Sequence, residues 1–242
     1  MKKALITGAS RGIGKAIAKK LSNDGFEVFV NYAGNDKKAE ETKLEIEKSG
    51  GKCTLLKVDL CTPDCARKCF EITEDVDVLV LNASIQCRNK WNNITLEEFE
   101  TQINCNFRSA VLLIQKYAPY MQKNKWGRII TIGSVQERKP HPDMLVYSSS
   151  KAALTLMAQS LALQLADSGV TVNSVAPGVI YTDRNIEALS NVEYANQVKG
   201  KIPMCCWGKP EDCSGIVSFL CSDEARYITG QNIYVDGGMG IK

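Results

Sequence analysis

The segment Thr7-Gly8-Ala9-Ser10-Arg11-Gly12-Ile13-Gly14 joins the apolar run Ala4–Thr7 to the helical pattern Gly14–Asn23, and it gives the strongest indication of the fold. In such a strand–turn–helix, the first glycine permits a tight turn, the second lets the backbone approach a pyrophosphate, and the third allows close helix–strand packing. The helix N-terminus then offers free N–H groups and a partial positive charge to the phosphates. The turn is therefore predicted to bind a dinucleotide. The predicted contacts come from Gly8, Ser10, Arg11, Gly12, Ile13 and Gly14.

Apolar strands alternate with helices along the rest of the chain. Further strands are predicted at Val28–Asn31, Cys53–Val58, Val76–Leu81, Arg128–Gly133, Val170–Val175 and Asn232–Val235. Helices are predicted at Lys37–Ser49, Pro63–Thr73, Leu96–Gln122, Leu145–Asp167 and Glu211–Cys221. This order predicts an α/β fold, a doubly wound parallel sheet of Rossmann type with helices on both faces. Pro177–Met204 is expected to be one long irregular loop at the carboxyl edge of the sheet, where ligands bind.

Length and composition limit the classes of function. The chain has 242 residues, and we expect residues 1–242 to form a single domain. A net charge of +3 with scattered basic residues gives no reason to expect nucleic acid as a partner. No run approaches the roughly 20 apolar residues of a membrane span, and the N-terminus does not resemble a signal peptide. These features predict a cytoplasmic protein that is not bound to a membrane.

The ten cysteines are expected to be reduced thiols, because the chain shows no export signal. Cys61, Cys65 and Cys69 are spaced along one predicted helix, but they lack the usual pairing of zinc ligands and no histidine lies near them in the sequence. No metal site is predicted.

The end of the second strand indicates which dinucleotide binds. NAD sites usually place a carboxylate there to bind the ribose 2′-hydroxyl. Here the strand ends in Asn31-Tyr32-Ala33-Gly34-Asn35, without a carboxylate to repel a 2′-phosphate. Arg11 can supply a positive charge to that phosphate. NADP(H) is therefore predicted in preference to NAD(H), with Asn31 and Tyr32 in the site and Asp59, followed by Leu60, at the adenine edge.

Tyr147 and Lys151 lie four residues apart in a predicted helix, so they share one face. A phenol titrates near pH 10, but an ammonium about 5 Å away stabilises the phenolate by about 3 kcal/mol at an effective dielectric of about 20. Tyr147 can then exchange a proton with a carbonyl or alcohol oxygen near neutral pH. Ser134 follows the predicted fifth strand, so its hydroxyl lies at the carboxyl edge and can hold the same oxygen.

Taken together, these motifs resemble the short-chain dehydrogenase/reductase family over essentially the whole chain, in its single-domain form, and the wording is most similar to bacterial 3-oxoacyl-[acyl-carrier-protein] reductases. The matching elements are Thr7–Gly14, Asp59, Asn82-Ala83, Asn106, Ser134, Tyr147, Lys151, Pro177-Gly178, Thr182 and Gly230–Gly238. The resemblance implies an NADP(H)-dependent oxidoreductase that moves hydride between the nicotinamide and a carbonyl or secondary alcohol.

The resemblance also implies a role for each matching residue. Tyr147 would be the acid–base residue, with Lys151 assisting it and binding the nicotinamide ribose. Ser134 would orient the substrate oxygen, and Asn106 would hold a water that links Lys151 to solvent. The remaining cofactor contacts would come from Asn82, Ala83, Pro177, Gly178, Ile180 and Thr182.

Two features depart from the family pattern. Ser84 adds a side chain where relatives have glycine, so the adjoining cofactor contact is expected to shift. The segment from Asp59 to Asn82 looks roughly four residues short, about one helical turn, which the fold is expected to tolerate.

The substrate is left open by the sequence. One candidate substrate is an acyl thioester on an acyl carrier protein, and Lys125 and Arg128 could then bind the acidic carrier. However, Ala166–Gly169 lacks the basic residue that carrier-protein reductases have at this position. A sugar acid, a polyol or a hydroxysteroid is the alternative. The loop between Ser134 and Tyr147 is either a solvated loop, which is the favoured interpretation, or a contact surface for a hydroxylated or anionic small molecule, and no role is assigned to its histidine. Its polar residues are Gln136, Glu137, Arg138, Lys139 and His141.

A non-catalytic NADP-binding regulator is a further hypothesis, and loss of Ser134, Tyr147 or Lys151 would mark it. All three are present. A homotetramer is expected from the resemblance and from two long helices with apolar residues on more than one face.

Overall fold

The computed structural model describes the backbone of residues 1–242 and the side chains of all of them except residues 187 and 188. Seven parallel strands form one sheet in the order β3-β2-β1-β4-β5-β6-β7. The strands are β1 (Lys3–Ile6), β2 (Glu27–Tyr32), β3 (Cys53–Lys57), β4 (Val78–Leu81), β5 (Gly127–Ile132), β6 (Val170–Pro177) and β7 (Asn232–Val235). The chain reverses its direction of winding between β1 and β4, and ligands of such sheets bind outside the carboxyl ends of the strands at that point.

Helices cover both faces of the sheet, which confirms the predicted doubly wound fold. The helices are α1 (Gly12–Asn23), α2 (Asp36–Lys48), α3 (Cys65–Thr73), α4 (Leu96–Ile103), α5 (Ser109–Lys123), α6 (Leu145–Leu165), α7 (Asp183–Ser190), α8 (Val192–Gly200) and α9 (Pro210–Cys221). Over the described part of the chain, none of them has the length and apolar character that crossing a membrane requires.

Each strand of the sheet packs alternate residues on opposite faces. In β1, Leu5 joins a core that includes Leu113 of α5 and Leu154 of α6, while Ile6 joins a core that includes Ile17 of α1. All five of these side chains are almost completely buried. Because both faces are covered, the strands read as continuous apolar runs rather than as alternating ones.

Two predicted segments differ from the structure. Leu96–Gln122 is not one regular helix, since a π-helical turn over Asn104–Arg108 separates α4 from α5. Pro177–Met204 is not irregular, because it contains α7 and α8, and that prediction is wrong. Leu189 and Val198 of these helices pack with Val135 in a small third core, so tertiary contacts stabilise two helices whose own sequences are short and polar.

Candidate functional site

The glycine turn is fixed by a network of part-buried hydrogen bonds between the ends of β1 and β4. The Oγ1 of Thr7 accepts bonds from the N–H groups of Asn82 (2.9 Å) and Ala83 (3.0 Å). The side-chain amide of Asn82 donates to the carbonyls of Thr7 (2.8 Å) and Gly8 (3.0 Å). A Cβ on Gly14 would lie 2.5 Å from that amide nitrogen. Only glycine therefore fits where α1 meets the turn.

The start of α1 fits a phosphate group. Gly12 has φ +57°, a left-handed conformation that favours glycine. Arg11 precedes α1 and its side chain makes no capping bond, and the first turn contains no acidic residue. No carboxylate of the first turn of α1 therefore competes with a phosphate for the free N–H groups and the helix dipole.

The end of β2 contributes contacts that the sequence did not specify. Asn31 is buried, accepts a bond from the N–H of Gly8 (3.2 Å) and donates to the carbonyl of Val58 (2.9 Å). Its amide thus holds β3 and the glycine turn in place. The hydroxyl of Tyr32 donates to Asp36 (3.0 Å), which also pairs with Lys57 (2.7 Å). Asp36 is therefore turned towards β3.

Ser134, Tyr147 and Lys151 line one cleft at the carboxyl edge of the sheet. Tyr147 and Lys151 lie one helical turn apart on α6, and the Nζ of Lys151 is 5.8 Å from the centre of the Tyr147 ring. The Oγ of Ser134 accepts a bond from the N–H of Gln136 (3.2 Å), which fixes the hydroxyl at the end of β5. A phenol, an ammonium and a hydroxyl are thereby placed around one small volume.

Lys151 is the most strongly perturbed of these groups. Its side chain is 1% exposed, and its Nζ donates to the carbonyl of Ile132 (2.7 Å). Burial, followed by the positive charge of Arg184, lowers the pKa of Lys151 to about 7. Such a shift in a cleft marks a candidate for acid–base chemistry.

Asn106 lies behind these residues, inside the π-helical turn. Its Oδ1 accepts a bond from the N–H of Ile85 (2.7 Å), and its Nδ2 donates to the carbonyl of the same residue (2.9 Å). Nδ2 also donates to the Oγ of Ser150 on α6 (3.0 Å). Asn106 thus ties the loop after β4 to the helix that carries Tyr147 and Lys151, and it does not line the cleft itself.

The cleft has a volume of about 490 Å³. It brings together all of the residues that the sequence assigned to the cofactor. They are Gly8, Ser10, Arg11, Gly12, Ile13, Gly14, Asn31, Tyr32, Asp59, Leu60, Asn82, Ala83, Tyr147, Lys151, Pro177, Gly178, Ile180 and Thr182. This elongated set, running from the end of β2 to α6, fits a dinucleotide. NADP(H) would be held at its pyrophosphate by the glycine turn and at its 2′-phosphate by Arg11.

Three residues at or beside the cleft were not identified from the sequence: Lys38, Asp183 and Arg184. Asp183 pairs with Lys38 and lies 3.5 Å from the guanidinium of Arg11. Arg184 donates to the carbonyl (2.8 Å) and the Oγ (3.1 Å) of Ser84, on the opposite side of the cleft. The first turn of α7 therefore crosses the cleft, and we refer to α7 and α8 as the lid helices.

The loop after Ser134 divides its polar residues between two surfaces. Gln136 and His141 line the cleft. Glu137 instead accepts bonds from Thr155 (2.7 Å) and Tyr234 (3.1 Å). Lys139 donates to the carbonyl of the C-terminal residue (3.0 Å).

The alternative that the polar residues of this loop contact a substrate is therefore wrong for Glu137 and Lys139. It is also wrong for Arg138, whose guanidinium lies over the Tyr234 ring, 5.7 Å from its centre. These three side chains face β7 and the C-terminal tail because they find hydrogen-bonding and aromatic partners there.

Comparisons with known proteins show which family this chain resembles. A family model described as enoyl-(acyl carrier protein) reductase matches residues 8–240. The chain is 38% identical over 242 residues to 3-oxoacyl-[acyl-carrier-protein] reductase of Staphylococcus aureus, with 98% of each chain covered.

Two solved structures with bound NADP have closely similar folds. One is a 3-oxoacyl (acyl-carrier-protein) reductase of Agrobacterium tumefaciens, with a TM-score of 0.93, 32% identity, and 98% and 93% of the two chains covered. The other is a putative NAD(P)-dependent gluconate 5-dehydrogenase of Beutenbergia cavernae, with a TM-score of 0.94, 32% identity, and 100% and 97% covered.

Proposed function

The chain belongs to the short-chain dehydrogenase/reductase family of NADP-dependent oxidoreductases, and from that premise we propose that it reduces a 3-oxoacyl thioester, or a closely similar ketone, to the secondary alcohol. The observation that carries the proposal is the placement of Tyr147 and Lys151 on one face of α6, beside Ser134 and at the end of a dinucleotide-shaped cleft. The same residues serve the reverse oxidation.

The side chains divide the work of carbonyl reduction. When bound, NADPH supplies the hydride that reduces the carbonyl carbon. Ser134 donates a hydrogen bond to the carbonyl oxygen and holds it for Tyr147. Tyr147 gives its phenolic proton to that oxygen as negative charge develops there. Lys151, fixed by the carbonyl of Ile132, supplies positive charge beside the phenolate that remains.

The neutral form of Lys151 is accessible in the absence of ligands, because burial lowers its pKa to about 7. An anion in the cleft favours the protonated form. We propose that Asn106 acts by holding the loop after β4 against α6, and with it the proton path to Lys151.

Docking of an acyl carrier protein requires exposed cations near the mouth of the cleft. Arg128 does not meet that need, since it is 2% exposed and donates to the carbonyls of Gly127 (2.9 Å) and Ser222 (3.2 Å) at the amino end of β5. Lys125 precedes the same end of the strand. The expectation that these two cations dock a carrier is wrong for Arg128. Arg88 and Lys201, which line the cleft mouth, are the better-placed cations.

A sugar-acid dehydrogenase is the second candidate. Gln136 and His141 line the cleft together with Arg88, Arg184 and Lys201. Hydrogen-bonding groups and cations of this kind suit a hydroxylated carboxylate. Polyols and hydroxysteroids are neutral, and these cations favour them less.

A substrate panel tests both candidates. NADPH oxidation is followed at 340 nm with 3-oxoacyl thioesters, 5-keto sugar acids, polyols and steroids, and each reaction is repeated with NADH. The proposal predicts the highest kcat/KM for a 3-oxoacyl thioester with NADPH. Tight NADPH binding without turnover of any compound would instead identify the non-catalytic regulator.

We also propose that residues 1–242 are one domain, that the protein is cytoplasmic, and that it forms a homotetramer. One continuous sheet runs through the chain, and its ten cysteines are free thiols, as in a reducing compartment. Leu156 and Leu163 of α6 are exposed, the latter by 87%. Exposed apolar residues on a regular helix suit a symmetric interface. A monomeric mass in light scattering at micromolar concentration would contradict the tetramer.

A further inference from the structure

A single carboxylate of the lid helices holds two cations at the adenosine end of the cleft. Asp183 pairs with Lys38 of α2, and its Oδ2 lies 3.5 Å from the Nη1 of Arg11. The three side chains are 36–60% exposed, so a ligand has access to them. The two cations lower the pKa of Asp183, which is therefore ionised at neutral pH.

The positions of these cations match those that a 2′-phosphate needs. Arg11 belongs to the glycine turn, and Lys38 lies in the first turns of α2, directly after the end of β2. In this fold the 2′ position of the ribose lies between the glycine turn and the end of the second strand. Asp36, a second carboxylate near this point, is bonded to Tyr32 and Lys57.

Asp183 reduces the net positive charge that this site offers to a phosphate. Arg11 and Lys38 together carry two positive charges, and Asp183 neutralises one of them. A phosphate monoester carries a charge of about −1.5 to −2 at pH 7. It is repelled by the carboxylate, and it competes with the carboxylate for the same donors. A 2′-hydroxyl carries no charge and meets neither obstacle.

We infer that Asp183 determines cofactor selectivity by competing with the 2′-phosphate of NADP(H) for Arg11 and Lys38. The inference rests on the proposed function and deepens it, since it assigns a residue of the lid helices to recognition of the adenosine end. Binding of a 2′-phosphate replaces the carboxylate on these two cations. Because Asp183 begins α7, that replacement also loosens the attachment of α7 to α2.

The test measures binding of nucleotide fragments by isothermal titration calorimetry. Adenosine 2′,5′-bisphosphate and adenosine 5′-monophosphate differ by the 2′-phosphate alone, and neither reports on catalysis. Asp183→Asn removes the charge with little change of shape. Glu193→Gln is the matched control, because it removes the same charge from α8, where no ion pair of Glu193 is seen among the described side chains.

Asp183→Asn is expected to tighten the bisphosphate about fivefold and to change 5′-monophosphate binding less than twofold. Lys38→Gln is expected to weaken the bisphosphate by a similar factor, and Glu193→Gln to change neither ligand. The gain should disappear in 1 M NaCl, where the screening length falls to about 3 Å. Kd values for NADPH and NADH are expected to follow the same pattern.

Equal or weaker bisphosphate binding by Asp183→Asn would overturn the inference, and the role of Asp183 would then be to attach α7 to α2. Measurements on the wild-type protein distinguish failure of the proposed function from failure of the inference about Asp183. If it binds neither bisphosphate nor NADPH, the proposed function fails. If it binds and reduces substrate with NADPH while Asp183→Asn changes nothing, the function stands and this inference alone fails.

Discussion

The floor of the cleft and its lid helices are built in different ways. The floor comprises the glycine turn, the carboxyl ends of β1 and β4, and the Tyr147–Lys151 turn of α6. It is held by the buried bond of Lys151 and by the part-buried bonds of Asn82. The lid helices pack through Leu189 and Val198 in the small third core, and they cross the cleft only through exposed side chains, Asp183 and Arg184. Buried bonds are costly to break, whereas exposed ion pairs contribute roughly 0–1 kcal/mol. The floor can therefore fix reacting atoms, while the lid helices adjust to the ligand.

Replacing Tyr147 by phenylalanine tests the chemistry of the floor and has the largest expected effect. Removal of the proton donor should lower kcat about 10³-fold, within the usual range for general acid catalysis. The Kd for NADPH should stay within about twofold, because the ring remains. NADPH fluorescence titration and steady-state rates measure the two quantities. A loss of rate below tenfold would show that another group donates the proton.

The pH dependence of stability tests the buried lysine. Since the pKa of Lys151 in the folded protein is about 7, below its ordinary value of 10.5, the unfolded chain binds more protons between these values. Folded wild-type protein therefore gains stability as pH rises through this window.

The variant Lys151→Met lacks the titrating ammonium group, so its stability should not show this pH-dependent contribution. The free energy of unfolding of wild type minus that of Lys151→Met is expected to rise by about 2–3 kcal/mol from pH 6.5 to pH 9.5. Urea denaturation without cofactor measures both proteins, and Lys209→Met, at the N-terminal end of α9, is the control for an exposed lysine. Parallel pH profiles would mean that Lys151 is solvated.

Packing at the glycine turn can be broken by one methyl group. A Cβ on Gly14 meets the Asn82 amide at 2.5 Å and the Gly8 carbonyl at 2.6 Å. Gly14→Ala is expected to destabilise the fold by about 2 kcal/mol. Gly215→Ala is the control within α9, since its Cβ meets nothing within 4 Å, and it should stabilise the helix by about 0.5–1 kcal/mol. Thermal unfolding distinguishes the two, and equal melting temperatures would refute the tight packing.

The smallest expected effect is that of a substitution at a contact of the lid helices. Ser84→Ala removes the Oγ contact with Arg184 but leaves the backbone carbonyl as an acceptor. The free energy of unfolding should change by less than about 0.5 kcal/mol. The rate of limited proteolysis within residues 183–200 is expected to rise about twofold. A destabilisation above 2 kcal/mol would show that the Ser84 hydroxyl stabilises the fold as strongly as the contacts of the floor do.

The contrast between floor and lid helices also explains what the sequence predicted. The glycine turn and the Tyr147–Lys151 turn are local patterns, so spacing alone placed their residues together. The pairing of Asp183 with Lys38 joins elements 145 residues apart, and no local pattern encodes it. The lid helices were missed because they are short and are stabilised by packing of Leu189 and Val198 on Val135. Ser84 was recognised as unusual, but its partner Arg184 became visible only in the folded chain.

A crystal structure of the complex with NADPH would locate the cofactor relative to Tyr147 and the glycine turn. We expect the pyrophosphate on the N-terminus of α1, the 2′-phosphate in contact with Arg11 and Lys38, and the reactive face of the nicotinamide next to Tyr147. A cofactor bound outside the cleft, or a nicotinamide remote from the Tyr147 hydroxyl, would contradict this expectation.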